Sequence, residues 1–411
     1  MPIDPTWLCR RLEAAVASAG DPGLALEKSW RGVRSAPTRL LAVGKAAIPM
    51  ARVARQLLGN SLTRTLVVAP GVDATLSGCD VLTADHPYPT DRSLAAGIAV
   101  ERFVREVPAN EELVVLLSGG GSAMVCLPHD GLELSDIAEL TRAAQLAGAS
   151  IDDLNLLRRH CERVKGGALA SLCPAATIRV YVLSDVIGDD LATIASGPFA
   201  PDPTTHADAA HVLARLGLDH LSPRVASFLA AGKHSETLKS ARPGVDHVIV
   251  ASNRMIGEAV AREAAEHAQG VTVDHGVTGE AAVVGRGLAA RFAADPRHAW
   301  VVAGEYTVTV GASEGVGGPT QEMALAAAAE LGGRGGWVLW AYSTDGRDGP
   351  SEACGVIATD QTMRAAAAAG LNARHALLAH DSGGFWAGCG GAIPRRETGT
   401  NLNHVALLMA L

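Results

Sequence analysis

The sequence has few aromatic residues, few charges for its length and no excess of positive charge. Aromatic side chains make up 4% of the 411 residues, charged side chains make up 19%, and the formal net charge is −8. A chain without a basic excess has no overall electrostatic footprint for nucleic acid, so we expect no nucleic-acid partner. A small anionic ligand stays compatible with this composition, because it needs only a local cationic pocket.

The sequence also lacks an apolar run of about 18 residues, which a membrane-spanning helix requires. Near its N-terminus it carries Arg10, Arg11 and Glu13 on a predicted amphipathic helix, where a signal peptide would have an apolar core. We therefore expect a cytoplasmic protein without a membrane partner.

Cysteine pairs with the usual disulfide or zinc spacing are missing as well. The chain has seven cysteines, an odd number, and no two of them form a C-x-x-C pair. This pattern argues against a disulfide framework and against a structural zinc site. Reduced, mostly buried thiols are the expectation for a cytoplasmic protein.

Short apolar runs that predict strands alternate with helical stretches along the whole chain. This alternation is typical of α/β architecture. The chain is longer than one typical core requires, and four prolines between residues 200 and 245 mark a linker. We therefore predict two domains, residues 1–245 and residues 246–411.

A glycine-rich loop follows the continuous apolar run 113–117, which predicts a buried parallel strand. Its residues are Ser118, Gly119, Gly120, Gly121 and Ser122. Backbone N–H groups in such a loop can approach a phosphate or a carboxylate. The loop matches neither standard nucleotide motif. The alternative is a tight turn that needs glycine only for its backbone angles.

Cationic residues stand at two further places. Lys45 follows the predicted strand 40–43 at a helix start and is suited to act as a point charge for phosphate. Asn155 and Arg158 share a helix face by their spacing, and Lys165 precedes a Gly-Gly pair. A cationic cluster suits an anionic substrate, whereas the alternative for each is a solvated surface helix.

Acidic residues follow other predicted strands. Asp185, Asp189 and Asp190 come directly after the run 179–183. Carboxylates at a strand end can hold Mg²⁺ through water, or one can act as a general base for a substrate hydroxyl. The alternative is that Asp189 or Asp190 caps a helix.

The second half of the chain has polar strand ends of its own. Gly304 and Glu305 form one, and Asp345 and Asp348 flank a glycine turn, where a metal or ribose role competes with an ordinary Asp-Gly turn. His86, in the turn Asp85-His86-Pro87, is expected to be structural.

Taken in order, these segments resemble the type II glycerate kinase family, the glycerate 2-kinases with a MOFRL C-terminal domain. Some members of that family have been labelled hydroxypyruvate reductases. The resemblance runs almost end to end through segments 43–47, 86–87, 117–123, 155–167, 183–190, 194–198, 252–253, 304–305, 344–350 and 398–401.

The resemblance implies a Rossmann-like N-terminal domain and a smaller α/β C-terminal domain with a cleft between them. It implies transfer of the γ-phosphoryl group of ATP to the 2-hydroxyl of D-glycerate, or of a close 2-hydroxy acid, with Mg²⁺. It also marks Lys45 as catalytic.

From the motifs and the resemblance together we predict the site residues. The predicted catalytic residues are Lys45, Arg158 and Asp189, and the candidate Mg²⁺ ligands are Asp189, Glu305 and Asp345. Those expected to bind substrate or nucleotide are Ser118, Gly119, Gly120, Gly121, Ser122, Asn155, Lys165, Asp185, Asn253, Gly304, Glu305, Gln321, Asp345 and Asp348.

Two positions depart from the family pattern. Pro319 stands where the family usually has an arginine that is thought to stabilise the transferring phosphoryl group, and His404 stands where it more often has aspartate. Proline offers neither a charge nor a backbone N–H. The arginines that could supply the missing charge are Arg158, Arg254 and Arg347.

Two other functions stay open. An NAD(P)H-dependent hydroxypyruvate reductase would need a dinucleotide fingerprint, whose spacing the loop at 118–122 lacks. Loss of the arginine at Pro319 would fit a catalytically degenerate ligand-binding protein. The sequence leaves open the exact 2-hydroxy acid, its stereochemistry, the carbon that is phosphorylated and the oligomeric state, for which a homodimer is the candidate.

Overall fold

The computed structural model describes residues 4–32, 36–71, 75–220, 222–232, 236–311 and 313–411. They form two compact units. The first is Leu26–Val250, and the second combines the residues up to Ala25 with Ala251–Leu411. The N-terminal residues therefore belong to the second unit, which differs from the predicted domain 1–245.

The first unit contains an open six-stranded sheet. Its strands are β1 (Thr38–Val43), β2 (Leu62–Ala69), β3 (Asp80–Thr83), β4 (Glu112–Leu117), β5 (Ile178–Ser184) and β6 (Val245–Ser252). They are ordered β3-β2-β1-β4-β5-β6, and the pairs from β3 to β5 are parallel. This is a doubly wound order with its switch point between β1 and β4, where such folds bind ligands at the carboxyl ends of the strands.

Helices cover this sheet, and for that reason its central strands are continuous apolar runs. Strand β4 is buried at every residue, as expected for a parallel strand covered on both faces. The helices from α2 onward are α2 (Pro22–Ser29), α3 (Ala47–Leu58), α4 (Asp91–Arg105), α5 (Gly121–Met124), α6 (Leu134–Leu146), α7 (Ile151–Cys161), α8 (Ala168–Leu172), α9 (His206–Arg215) and α10 (Pro223–Ala231). Helices α6, α7, α9 and α10 enclose an apolar cluster of their own.

The second unit contains a mixed six-stranded sheet. Its strands are β7 (Gly270–Glu280), β8 (His298–Thr307), β9 (Trp337–Ser343), β10 (Ala353–Thr359), β11 (Ala392–Pro394) and β12 (His404–Ala410). They are ordered β11-β10-β9-β12-β8-β7, and only the β7–β8 pair is parallel. The helices are α11 (Asn253–Ala264), α12 (Ala281–Ala294), α13 (Pro319–Leu331), α14 (Asp360–Ala368), α15 (Ala373–Leu378) and α16 (Ser382–Cys389).

Helix α1 (Pro5–Gly20) packs within the second unit, against α11 and β10. It buries Leu8, Leu12 and Val16, which recur at helical spacing on one face. Among the described residues, no helix combines the length and the apolar character that crossing a membrane requires.

Candidate active site

The loops after β1 and β4 are interlocked at the switch point of the first sheet. Lys45 N donates to Gly119 O at 3.0 Å, and Ala46 N donates to Ser118 Oγ at 3.0 Å. Ser118 is buried at 1% exposure. The predicted ligand residue Ser118 therefore holds the two loops together and has its hydroxyl inside the fold.

This loop requires glycines because neighbouring side chains lie very close to its backbone. A side chain at Gly119 would collide with Asp185 Oδ2, and Gly120 has the left-handed φ of +85° that favours glycine. The tight-turn interpretation therefore accounts for the glycines. The same geometry also brings Asp185, at the end of β5, against this loop.

Lys45, His86, Arg158 and Asp185 lie around the glycine loop. A Cβ atom at Gly120 would lie 3.1 Å from His86 Cδ2 and 3.4 Å from Lys45 Cε. Burial lowers the pKa of His86, and the charges of Lys45 and Arg158 lower it further. Burial raises the pKa of Asp185, and the charge of Lys45 opposes that shift. The structure thus brings three predicted residues to one place.

His86 is the residue that sequence reasoning placed outside the site. It lies in the loop that leaves β3, and His86-Pro87 is a cis peptide bond. The signal that could have found it is topological: β3 is a parallel strand, so the loop after it lies at the same sheet edge as the loops after β1 and β4.

Arg158 lies buried on helix α7, at 6% exposure. Its Nη2 donates to Thr141 Oγ1 at 3.5 Å, and burial lowers its pKa although the charge of Glu162 opposes this. Among the described residues, no carboxylate lies within ion-pair distance of its guanidinium. Its positive charge is therefore available to an anionic ligand.

Asn155 and Ser122 belong to one chain of hydrogen bonds. The Ser122 and Ser196 hydroxyls lie 2.8 Å apart, and Ser196 Oγ donates to Asn155 Oδ1 at 3.0 Å. Asn155 Nδ2 is 3.4 Å from Thr193 O. This chain ties helix α7 to the glycine loop.

Lys165 is placed differently from the prediction that it adds positive charge to a ligand site. Its ammonium donates to Ser122 O at 2.9 Å and to Val125 O at 2.7 Å, and it lies 2.9 Å from Glu162 Oε2. Both charged side chains are buried, so the lysine charge is already neutralised. These contacts hold the end of the glycine loop in place, and the predicted role of Lys165 in ligand binding stays a prediction.

Two acidic residues after β5, Asp189 and Asp190, have different surroundings. Asp190 accepts from Ala192 N and from the Thr193 hydroxyl, so it caps the short turn that follows. Asp189 has a left-handed φ of 56°. Its carboxylate makes no hydrogen bond or ion pair within the described part of the chain.

In the second unit, Asp348 caps the N-terminus of helix α13. Its Oδ1 accepts from Thr320 N at 2.9 Å, and its Oδ2 accepts from Gln321 N at 2.8 Å and from Gln321 Nε2 at 2.9 Å. Both oxygens of Asp348 are thereby used at the helix end, and the ligand-binding roles of Asp348 and Gln321 stay predictions.

Pro319 is the first residue of α13, a position whose N–H would have no partner within the helix. Proline at this position therefore leaves the fold undisturbed, as expected for this departure.

Of the other predicted residues in the second unit, some make hydrogen bonds within the fold and others are accessible to solvent. Asn253 is buried and donates to Leu402 O and His404 O, and Gly304 pairs with His404 across two strands. Glu305 is exposed at the strand end. Asp345 accepts from Ser343 Oγ and from the backbone of the turn that follows, both at 2.9 Å.

Two of the three candidate replacement arginines are paired. Arg254 lies 3.1 Å from Glu258, and Arg347 lies 3.2 Å from Glu397. Arg158 is the one of the three without such a partner among the described residues.

Comparison with known proteins shows the family of this chain. Residues 10–230 match the family described as a domain of unknown function (DUF4147), and residues 298–404 match the MOFRL family. A glycerate 2-kinase from Pyrococcus horikoshii is 33% identical, over 90% of this chain and 86% of its own length. The chain belongs to the type II glycerate kinase family.

Other members of the glycerate kinase family extend the match. A D-glycerate 2-kinase from Thermotoga maritima is 34% identical over 90% of this chain and 89% of its own. The crystal structure of glycerate kinase from that organism matches with a TM-score of 0.90 at 31% identity, covering 98% of this chain and 99% of the other. A relative named putative hydroxypyruvate reductase, from Agrobacterium vitis, is 32% identical over 98% of this chain and 93% of its own.

The predicted α/β class is thereby confirmed, with a Rossmann-like first domain and a MOFRL second domain.

Proposed function

We propose that this protein transfers the γ-phosphoryl group of ATP to the 2-hydroxyl of D-glycerate or a closely related 2-hydroxy acid. Family membership supports the reaction. The observation that carries it to this chain is local: Lys45 and Arg158, two cations without carboxylate ion pairs among the described residues, converge on His86 beside the glycine loop. Such a pocket suits a substrate that carries a carboxylate and receives a phosphate.

The cationic side chains have complementary roles. Arg158 offers a planar guanidinium, which matches a carboxylate with two parallel hydrogen bonds. Lys45 offers a compact charge, which suits the phosphoryl oxygens as negative charge spreads over them. Lys45 would thus stabilise the transferring group, and Arg158 would hold the substrate carboxylate.

The base for the substrate hydroxyl is one of two carboxylates. Asp185 lies against the glycine loop, and the raised pKa of its buried carboxyl makes it a better proton acceptor than an ordinary aspartate. Asp189, the predicted catalytic residue, has a carboxylate without partners among the described residues. We assign the base to Asp185 and leave Asp189 to bind metal.

Mg²⁺ fits the oxygen donors that are present. In the first unit, Asp189 has no competing partner among the described residues. In the second unit, taken by itself, Glu305 is exposed and Asp345 keeps Oδ2 outside its turn hydrogen bonds. Mg²⁺ prefers such oxygen ligands and neutralises charge on the phosphates of ATP. Asp348 is not among the proposed ligands, because it caps α13.

A coupled assay tests the proposal. ADP release is followed on D-glycerate, on L-glycerate and on hydroxypyruvate, and NADH consumption is measured separately. We expect ATP-dependent turnover of D-glycerate, with a product that enolase consumes without phosphoglycerate mutase, because the phosphate is on carbon 2. NADH consumption without ADP release would contradict the kinase assignment, and a product that needs the mutase would contradict the position.

Pro319 favours one second candidate, a ligand-binding protein that has lost catalysis. Thermal-shift titration with ATP–Mg²⁺ and glycerate, run beside turnover, separates the two. Binding of both ligands with no turnover of any 2-hydroxy acid would favour the second candidate. Cytoplasmic location and a homodimer stay predictions.

A further inference from the structure

Two histidines and a glutamate meet in the first unit, on elements that the glycine loop does not use. His160 lies near the end of α7, His206 begins α9, and Glu236 lies in the segment after α10. One ligand atom from each lies within 4.8 Å of the others. The two imidazole rings are buried, and their centroids are 4.8 Å apart. We call these three residues the His-His-Glu cluster.

Three ring nitrogens of the cluster have no hydrogen-bond partner among the residues that the structure describes. They are both nitrogens of His206 and Nδ1 of His160. His206 is 8% exposed and His160 is fully buried, so bulk water does not satisfy them. A buried polar atom without a partner is costly to the folded state, so such a group calls for a bound water or ion.

The far side of His160 is arranged as metal-binding histidines usually are. Thr204 Oγ1 donates to Asp202 Oδ1 at 2.7 Å, so the hydroxyl accepts from His160 Nε2–H at 3.0 Å. Asp202 Oδ2 lies 3.4 Å from the same nitrogen. This arrangement places the ring proton on Nε2 and leaves a lone pair on Nδ1, which faces Glu236 Oε2 at 4.0 Å.

Some charged groups around the cluster favour the binding of a cation, and others oppose it. Burial lowers the pKa of His160 to about 4, with Asp202 opposing and His206 and Lys239 adding to the shift, so the ring is neutral at pH 7. Lys239 lies 3.0 Å from Glu236 Oε2 and also donates to Thr204 O. Its exposed ammonium would have to turn away before a metal ion could use Glu236.

We propose that His160 Nδ1, one ring nitrogen of His206 and the Glu236 carboxylate bind a divalent transition-metal ion of the zinc class. Two imidazoles and one carboxylate are a donor set that zinc, cobalt and nickel accept. A tetrahedral zinc ion needs ligand atoms roughly 3.3 Å apart, given zinc–nitrogen bonds of about 2.0–2.1 Å. The ligand atoms would therefore have to draw closer on binding. Glu236 is half-exposed and its Oε1 accepts from His206 N at 3.1 Å, so Oε2 is the oxygen that would bind the ion.

The ion would hold the segment after α10 against the ends of α7 and α9. Helix α7 also carries Asn155 and Arg158, so a metal here would stiffen a helix of the active site without touching substrate. The cysteine spacing cannot reveal such a site, because none of its ligands is a cysteine. The proposal does not depend on the reaction that the enzyme catalyses.

Metal binding is tested on the full, untagged and reduced chain after chelator treatment. Zn²⁺ binding is measured by calorimetry, and Co²⁺ serves as a spectroscopic probe because its visible bands report tetrahedral coordination. We expect one equivalent to bind and to raise the melting temperature. His206→Gln and Glu236→Gln should each weaken binding at least tenfold, whereas His211→Gln, an exposed histidine on the same helix, should leave it unchanged.

Two further readouts keep the test decisive. Lys239→Gln should tighten Zn²⁺ binding several-fold, because it removes the competing ammonium from Glu236. Circular dichroism of the metal-free variants checks that they are folded. Equal Co²⁺ affinity in wild type, His206→Gln and Glu236→Gln would overturn the proposal, as would thiolate-to-cobalt charge-transfer bands, which would assign the metal to cysteines.

Discussion

Lys45 and Lys165 carry the same charge but have opposite environments. The Lys165 ammonium is buried, where it pairs with Glu162 and donates to two backbone carbonyls. Lys45 stands at the carboxyl edge of the sheet, where its charge acts on His86 and Asp185 and forms no ion pair within the described residues. These surroundings predict a role in stability for Lys165 and a role in catalysis for Lys45.

Replacing Lys45 should reduce catalysis far more than stability. For Lys45→Ala we expect kcat/KM on glycerate to fall on the order of 10²–10³-fold, because a charge aimed at the transferring group is lost. The melting temperature should change little. Arg52→Ala, which removes an exposed charge from the next helix, is the matched control. Full activity in Lys45→Ala would show that the site lies elsewhere.

Replacing Lys165 should do the reverse. Lys165→Met leaves Glu162 buried without its partner, and breaking such a buried pair costs about 3–5 kcal/mol. Chemical denaturation measures the loss. Adding Glu162→Gln should recover part of it, because the uncompensated charge is removed. If the double variant is no more stable than Lys165→Met, the ion pair is not the cause.

His404 should make stability depend on pH. Burial lowers its pKa, and Asp348 and Asp345 oppose the shift, so the folded chain binds a proton less readily than the unfolded chain. Its contribution is therefore complete above the unfolded pKa of about 6.5 and is lost as pH falls below it. Protonation also removes the acceptor that Nδ1 offers to Tyr306 N at 3.3 Å.

Melting temperatures at pH 7 and pH 5 measure the effect. We expect the decrease between them to be smaller in His404→Asn, whose amide oxygen can accept the same hydrogen bond at either pH. His211→Asn, an exposed site, should retain the full decrease. A decrease of equal size in His404→Asn would assign the pH dependence to other groups.

At the scale of elements, the N-terminus of α13 shows how the first residue of a helix can change while the helix stays intact. Asp348 supplies both oxygens to the first backbone N–H groups, and Pro319 occupies the first helical position, which needs no donor. The cap thus holds the helix whichever residue stands at 319. The side chain of Pro319 is half-buried, so a longer side chain at this position can extend toward solvent.

Pro319→Arg tests whether an arginine at this position still matters. If the phosphoryl group lacks a charge that Arg158 does not replace, the variant should raise kcat on glycerate roughly tenfold or more. Pro319→Ala is the control for the backbone change and should leave kcat unchanged. Equal kcat in all three chains would indicate that the site has compensated by other residues.

Sequence reasoning predicted elements better than the roles of side chains. The run 113–117 and the loop after it predict β4 and its turn, because the run is short and glycines follow it, which favours a strand over a buried helix. Sequence spacing cannot distinguish Lys45 from Lys165, because each lysine stands beside a glycine shortly before a helix. The difference lies in the buried Glu162, which pairs with Lys165 alone. The sequence predicts a structural role for His86, because the residues that surround it come after other strands.

At the scale of the whole molecule, the second unit is discontinuous in sequence. Helix α1 precedes the first unit along the chain but packs on α11 and β10. Arg11 lies 2.7 Å from Glu263, and Glu13 lies 3.1 Å from Arg396. Composition could not predict that α1 packs in the second unit, because the apolar face of an amphipathic helix carries no information about which core it covers.

Removing residues 1–20 should therefore destabilise the second unit first. We expect faster amide hydrogen exchange in α11 and β10, since the burial of Leu8, Leu12 and Val16 is lost. Exchange in β1 and β4 should change little and serves as the internal control. Mass spectrometry of exchanged peptides measures both. Earlier loss of protection in β1 and β4 would contradict the placement of α1.

The placement of α1 also bears on how the chain is made. Its apolar face leaves the ribosome before the first unit, whereas the helix that it covers, α11, emerges only after Val250. At about 5–20 residues per second, this interval is on the order of ten seconds or more. During synthesis, Leu8, Leu12 and Val16 have no native surface to cover. A nascent chain of this protein should thus depend on chaperones most while its first unit is already folding.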